Sequence, residues 1–564
     1  MEALATAARE FMGRCRALLS EDSPYPVDIN SVRAIEQDLQ LSVVAIRQYY
    51  NASPFSPINR LHPELLSMIF QLIRQPRVAA TPGSPDKRRF GSYKPLVALT
   101  LVCHKWHTII TEESFLWNEV DLINDGNLVQ HLLERSKAAS LHVRFAYPGF
   151  VKDGRKVLTS FLKNDAHRFR ELEVKLKSAD RTSKMLPLLD VPMPRLRCLV
   201  ISLEASKKAL KNAHAMSFKR FPALKALVLS GTALLPKEPL ISLTHLHVVA
   251  LIHDSESILP LMDVLRATPA LEVLDLRAIR LVTENIKSPS VTLPRLRALR
   301  ISDNSWCDVI YFLLCHMNVP NLAVADFSSV TPLHHRQIEE YIPQSFLDGL
   351  GTMTRLRVEY FHPQSPPLML IFENADFRLT LRQGRGLACS VLASPPMLRC
   401  LDAIEDMYFD VRDAYCVQEA GKWLAARLRN LTSLVMSATD YGIHLLQPQT
   451  NELVVFPRLV SLGLKCRFGL NIDAVDPILE ERAKIVGGPL PVLRVGSRGY
   501  KELDERLKGP GGIKLRKCVG SLEVVQLSSV QDSLWASRRA VSPMPFMDHG
   551  YWTDSNLWNC RPWS

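Results

Sequence analysis

Nowhere in the 564 residues is there an uncharged apolar run of about 18 residues, so no helix is expected to span a membrane. Residues 1–20 lack an uninterrupted apolar stretch, because Glu2, Arg9, Glu10, Arg14 and Arg16 break it up; a secretory leader is not expected. The 11 cysteines, scattered from Cys15 to Cys560, include no C-x-x-C pair. Cys307, Cys315 and His316 come nearest to a cluster, at a spacing that fits no zinc pattern. The cysteines are read as small buried hydrophobes of a reducing compartment, which places the protein inside the cell, in cytoplasm or nucleus.

Catalytic signatures are missing as well. There is no G-x-S-x-G elbow and no H-E-x-x-H pair. Gly509-Pro-Gly-Gly-Ile-Lys514 lacks the spacing that cradles phosphates and is read as a flexible loop, while adjacent His334 and His335 would point apart. No enzymatic activity, metal or cofactor is expected. The formal charge is +12, but acidic residues are interspersed almost throughout. The densest basic stretch, Arg494 to Lys517, contains Glu502, Asp504 and Glu505 and, with Tyr500 its one aromatic, lacks the aromatic interleaving of a single-strand binder, so it reads as a solvated loop face and not as a nucleic-acid site.

What is present is apolar material: 47% of the residues, against 22% charged. That is enough for about four domains unless repeats override the count. Val32, Ile35, Leu39, Val43 and Ile46 recur at helical spacing, predicting one amphipathic helix over 31–50, capped by Ser31 and packed on the next domain. A second helix is expected from Pro63, since proline at the first helical position loses no hydrogen bond; Leu61 and Leu66 are placed as a staple across its start. Residues 75–94, rich in Pro, Gly and basic residues, read as a mobile insert. Helical spacing resumes after Pro95, putting Leu99, Val102, Trp106 and Ile109 on one face, followed by Phe115-Leu-Trp117. These short helices are too apolar for the small core they can make, which leaves the excess as a partner surface or as packing for the rest of the chain.

Leu61-His-Pro-Glu-Leu-Leu-Ser-Met-Ile-Phe70, Val102-Cys-His-Lys-Trp106 and Leu116-Trp117 together resemble the F-box. The form most similar is common in fungi (the basidiomycete type), where a helix and a "P-I-x-R-L" lead precede the box, here Pro57-Ile-Asn-Arg-Leu61. His62 stands where many members have the first proline of a pair, and the insert is longer than in compact boxes. The resemblance implies a small helical bundle that binds a Skp-type adaptor, which joins it to a cullin scaffold. Carried over by position, the adaptor-facing residues are Leu61, Pro63, Leu65, Ile69, Phe70, Val102, Cys103, Trp106, Leu116 and Trp117.

From about residue 165 a phrase recurs: Pro194-Arg-Leu-Arg-Cys-Leu-Val-Ile201, Pro222 to Leu229, Pro269 to Leu276, Pro294 to Ile301, and late in the chain Pro457 to Leu464. Leu243, Leu322, Leu398, Leu431 and Leu522 begin weaker copies, and Asn304 supplies the one ladder asparagine. L-x-x-L-x-L at a period of roughly 19 to 28 residues is the leucine-rich-repeat signature. The last two apolar positions of each phrase alternate along a short strand and point inward; the residues between them point outward. Outward positions, and so candidates for contact with a target, are Val228, Asp275, Arg277, Arg300, Asp326, Asp402 and Lys465. Stretches between phrases, such as Ser257 to Leu265, read as helices.

The expected architecture is α plus α/β: an N-terminal amphipathic helical segment (1–55), the F-box bundle (56–120), a leucine-rich-repeat-like strand–helix solenoid (121–540) and a tryptophan-rich C-terminal tail (541–564) docked on it. The expected function is that of a substrate receptor in a Skp–cullin–F-box ubiquitin ligase, binding the adaptor and an unidentified target protein, with no nucleic acid and no membrane. The alternative is a leucine-rich-repeat interaction scaffold without a ligase.

Overall fold

A computed structural model describes residues 6, 9–13, 16, 29–52, 57–74, 93–122, 126–147, 154–176, 186–203, 217–231, 235–249, 252–283, 289–303, 308–329, 342–349, 351–360, 368–383, 395–410, 424, 427–438, 443, 446–447, 455–466, 470–497 and 500–526. The chain divides into two compact units: Met1–Glu119 with Gln130–Ala139, and Val120–Val129 with Ser140–Ser564. Most of the insert (75–92), Asn304, Cys307, the His334-His335 pair and the tryptophan-rich tail lie outside the described residues.

The first unit is helical. A long helix runs Ile29–Ala52, so Ser31 sits inside its first turn and does not cap it. Its apolar face does not pack as expected: Val32, Leu39, Val43 and Ile46 are all exposed. The physical reason lies in the neighbouring bundle, whose core is already closed by Leu66, Phe70, Leu96, Ile110, Leu116 and Trp117. The helix Pro63–Arg74 starts where proline predicts it, with the amides of Leu65 and Leu66 donating to the His62 carbonyl at 3.0 and 3.1 Å. After Tyr93 come two helices, Lys94–Thr100 and His104–Glu112, and not one continuous face. The break falls at residues 101–103, so Val102 is exposed while Ile109 is buried. Tyr93 and Lys94, assigned to the insert by composition, belong to this folded part: the Tyr93 ring stacks on Trp117 at 5.7 Å.

The second unit is built on one large sheet. In chain order the strands are β1 (Glu119–Asp121), β2 (Leu141–Tyr147), β3 (Phe169–Leu176), β4 (Cys198–Leu203), β5 (Ala226–Ser230), β6 (His245–Val249), β7 (Ile252–Ser257) and β8 (Val273–Arg277). Next come β9 (Arg280–Val282), β10 (Val291–Thr292), β11 (Ala298–Asp303), β12 (Met317–Asn318), β13 (Val324–Ser329), β14 (Arg355–Tyr360), β15 (Leu368–Glu373) and β16 (Arg378–Gln383). The last are β17 (Asp406–Asp410), β18 (Ser433–Ser437), β19 (Ser461–Cys466), β20 (Leu490–Ser497) and β21 (Val519–Gln526). β2 to β6 pair in sequence, then β8, β11 and β13, all parallel. β13 pairs β16, β16 pairs β15, β15 pairs β14, and β14 pairs β17, after which β17 to β21 follow in order. Among the described strands of this sheet β15 alone is antiparallel to its neighbours, and the β14–β16 excursion explains the irregular spacing of phrases beyond Leu322. β7 pairs β9 and β10 pairs β12 in two small parallel sheets.

Register stacks the leucines. Leu172, Leu199, Leu227, Leu246, Leu274 and Leu299 are direct cross-strand neighbours, all buried, and the same row continues through Leu434, Leu462 and Leu493. Helices connect the strands, as at Leu259–Arg266, and Tyr500–Lys508 packs on β20 and β21. This mixed, parallel-rich arrangement fits a solenoid-like leucine-rich-repeat fold. Three readings are corrected. Leu398 and Asp402 lie in a helix, Pro395–Asp402; the strand of that unit comes four residues later, spelled Ile404-Glu-Asp-Met-Tyr-Phe409. Leu522 is the second apolar position of its phrase, Val519 the first. Gly509–Lys514 is not a loop, because Pro510 opens a helix reaching Lys517. Among the described residues no helix is long and apolar enough to cross a membrane.

Gly231, at φ +66°, ends β5 where an added Cβ would collide with the Leu203 carbonyl oxygen of β4. Gly231→Ala is expected to cost roughly 2 kcal/mol or more, combining left-handed strain with that collision. Urea unfolding should show a lowered midpoint, and an unchanged midpoint would contradict the parallel stacking of β4 on β5.

Candidate functional site

The helix Pro63–Arg74 carries two apolar stripes. Leu66 and Phe70 point inward, where Trp106 meets the Phe70 ring edge-on at 5.1 Å. Leu65, Met68, Ile69 and Leu72 follow each other at i, i+3, i+4 and i+7 on another face, and of these Leu65, Met68 and Leu72 are exposed, Leu72 to 65%. Val97, Leu101 and Val102 are exposed around the next helix, Leu101 to 81%. A bundle this small has no other wall on which to bury them.

The residues proposed by position therefore separate. Pro63, Leu65 and Val102 are exposed, and Leu61, Ile69, Cys103 and Trp106 are half-buried. Phe70, Leu116 and Trp117 belong to the core. Trp117 is fully used: its indole N–H donates to the Ile110 carbonyl at 2.6 Å, Tyr93 stacks on one side, and the Arg135 guanidinium lies 4.7 Å from the ring centre. Lys105 ties the bundle's entry in place, its Nζ donating to the Leu61 carbonyl at 3.1 Å. Sequence reasoning missed Met68, Leu72, Val97 and Leu101. The signal for the first two was the i, i+3, i+4, i+7 series beginning at Leu65, which cannot share a face with Leu66 and Phe70.

The second candidate is the sheet face opposite the leucines. Its middle rung runs Arg144, Glu173, Val200, Val228, His247, Asp275, Arg300, Asp326, then Thr380, Ile371, Arg357, Tyr408, Val435, Gly463, Arg494 and Glu523. The structure brings the predicted contact residues together in pairs. The Arg277 guanidinium forks onto Asp275 at 2.9 and 2.7 Å, with His247 at 3.5 Å on its other side. Arg300 Nη2 meets Asp326 at 2.8 Å, both nearly buried. Lys465 Nζ donates to the Tyr408 hydroxyl at 2.5 Å and lies 3.3 Å from Asp410. Arg494 meets Glu523 at 2.8 Å. Asp402 is not on this face at all; it ends a helix, exposed, and its carbonyl accepts from Asn430. Asp275 is 0% exposed and Val228 is buried, so neither stands out as a free contact.

Burial acts on the titratable groups of this ladder. By itself it would raise the Asp275 carboxyl, yet hydrogen bonds from His247 and Arg277 and their charges bring it down to about 2. His245, buried one rung away and beside His247, is lowered to about 4. The Thr244 hydroxyl lies 3.0 Å from the Lys225 carbonyl oxygen and 2.8 Å from His245 Nδ1, so it hydrogen-bonds the ring at that nitrogen. Among the described residues no three His, Cys, Asp or Glu side chains are placed to hold a metal ion.

No family model matches the chain. A curated human relative, F-box/LRR-repeat protein 12 of Homo sapiens, is 24% identical over 286 residues, an alignment covering 38% of this chain and 85% of the relative. Together with the stacked parallel strands, this likeness supports an F-box/leucine-rich-repeat family for the chain.

His245 binds fewer protons folded than unfolded between pH 6.5 and about 4, so stability falls as pH drops through that window. Asp275 adds a second loss as pH falls from 3.8 toward about 2, because its folded carboxyl resists protonation. The His245 loss is about 3 kcal/mol at most. Urea midpoints measured from pH 7 to 4 should decline, and His245→Gln should flatten the decline; an equal slope in the variant would refute the assignment.

Proposed function

We propose that this protein is the substrate-recognition subunit of a Skp–cullin–F-box ubiquitin ligase. The observation that carries the reading is the exposed stripe Leu65, Met68, Leu72, Leu101 and Val102, standing over a bundle whose own core is already filled. An apolar surface of that kind needs a protein partner, and the three blocks that build it resemble an F-box. The human relative, which bears that name, supports the same reading. The Pro57-Ile-Asn-Arg-Leu61 lead and the helix before it favour the form common in fungi.

In this reading the adaptor covers Leu65, Met68, Ile69, Leu72, Leu101 and Val102, with Trp106 at the margin. The sheet unit holds the target protein, while Asp275, Arg277, Arg300, Asp326 and Lys465 pair along the face and hold the ladder together. The protein performs no bond chemistry. It raises the effective concentration of a target lysine near the ubiquitin-carrying enzyme, and so works by proximity inside the cell.

Purified full-length protein should retain a Skp-type adaptor at micromolar concentration. Leu65→Asp with Leu101→Asp should abolish retention with the bundle still folded by circular dichroism, because neither side chain belongs to its closed core. Trp117→Ala should instead unfold the bundle, at a cost of about 3–5 kcal/mol. Adaptor binding that survives the double Asp variant would overturn the proposed surface, and absence of binding by the wild type would overturn the ligase reading.

A further inference from the structure

We propose that the rim of the sheet unit where β3, β4 and β5 begin is a docking site for an acidic protein segment, a run of Asp and Glu side chains. The backbone sets one more rung at the start of these strands. The Arg197 amide donates to the Arg170 carbonyl at 2.7 Å and the Lys225 amide to the Arg197 carbonyl at 2.9 Å. Thr244 then donates to Lys225, and Glu272 to Thr244, each at 2.8 Å. Three cations therefore stand side by side on consecutive strands before the rung turns neutral at Thr244 and acidic at Glu272. Arg170 and Arg197 are exposed and Lys225 is half-buried. Arg195, Lys219 and Arg220, all exposed, join them: the Met193 amide donates to the Arg220 carbonyl at 3.0 Å, which holds the turn before β5 against the turn that carries Arg195.

The acids around this rim are engaged elsewhere. Glu171 meets His142 at 2.8 Å, Asp165 meets Arg168 at 2.8 Å, and Glu238 accepts from the Ser217 hydroxyl. Asp190 lies 3.6 Å from Arg220, with both side chains in water to about half. Among the described residues no carboxylate lies within ion-pair distance of Arg170, Arg195, Arg197, Lys219 or Lys225. The middle rung of the same sheet behaves differently, since there the sign alternates and Asp275 stands between His247 and Arg300. Like charges on one rung repel, and only an anion from outside the rim can turn that repulsion into attraction. Arg170 and Lys225 are two strand spacings apart, roughly 10 Å, the length of about three extended residues. A short acidic stretch laid across the strand starts can thus offer each cation a carboxylate. Nucleic acid fits less well, because a single strand needs rings to stack on, and Phe169, Phe218 and Phe221 are all buried. A duplex needs an element that enters its groove, whereas the helix here, Phe218–Arg220, has three residues. The inference rests on the sheet unit and holds whether or not the adaptor reading does; within that reading the acidic segment belongs to the target.

Full-length protein titrated into a fluorescent peptide of alternating Asp and Glu should bind it at micromolar concentration by anisotropy, and more weakly as salt rises. The matching Asn and Gln peptide should not bind. Arg170→Glu with Arg197→Glu should weaken binding by roughly tenfold or more, with circular dichroism unchanged. Arg170→Gln with Arg197→Gln, a milder change at the same exposed positions, should weaken it about threefold. Arg506→Glu with Arg516→Glu removes the same charge from exposed helical positions beside β21 and should leave affinity within about twofold. An equal loss in that control pair would reduce the attraction to net charge and overturn the site, as would failure of the wild type to bind the acidic peptide. A short thymidine oligonucleotide that binds more tightly than the peptide, and is lost in the Arg170 and Arg197 variant, would overturn the assignment to a protein partner.

Discussion

Everything in the sheet unit depends on one constraint: a single repeat cannot bury its own apolar side. A strand of five or six residues offers two leucine-type side chains, and these lose water only when the next repeat stacks on them at about 4.8 Å. That is why Leu172 through Leu299 stand in one unbroken row, each buried by its neighbours. The same dependence makes the ends of the row the weak points. β21 is an edge, and its side chains from Leu522 to Val525 are half-buried where those of β20 beside it are mostly buried. An edge of this kind calls for a cover, by chain or by partner.

The stacking also dictates what the opposite face can carry. Side chains at one rung on adjacent strands are held side by side, so two like charges there would repel at close range in a partly dry environment. The chain answers by alternating sign: Arg144 beside Glu173, His247 beside Asp275, Asp275 beside Arg300, Arg300 beside Asp326, Arg494 beside Glu523. Each buried pair is worth little net, because desolvation offsets attraction. Losing one member is a different matter, since the survivor stays buried and uncompensated, at about 3–5 kcal/mol. The ladder thus fixes register more than it adds stability, and its charges are largely committed to each other.

This is also where the sequence stopped being legible. Phrases written in leucine placed β4, β5, β8, β11 and β19 correctly, since the pattern itself is the packing rule. Met353-Thr-Arg-Leu-Arg-Val358 and Ile404-Glu-Asp-Met-Tyr-Phe409 satisfy the same rule with other side chains, and a search for leucine passes over them. The outward positions other than Asp402 were found, but not their pairing, because which strand lies beside which is information about register. β16 follows β14 in the chain yet sits beside β13, and no local pattern announces it. In the helical unit Leu65, Leu66, Ile69 and Phe70 were likewise legible as apolar positions, while the face each one occupies was not: Leu65 and Leu66 are adjacent in sequence and lie on opposite sides of the decision between surface and core.

That decision can be argued from volume. Seven described helical and turn segments contribute to the first unit, and the buried set Leu66, Phe70, Leu96, Ile109, Ile110, Leu116 and Trp117 closes around two aromatic pairs, one edge-on and one stacked. Adding Leu65, Met68, Leu72 and Leu101 to that core would require a wider bundle, and helices as short as Lys94–Thr100 cannot supply the wall. Leaving four large apolar side chains in water forgoes about 1.5–3 kcal/mol each relative to burial. A solvated helix face bears polar residues by default, and this one departs from that rule. The bundle's small core and its exposed apolar stripe are consequences of the same shortage of wall.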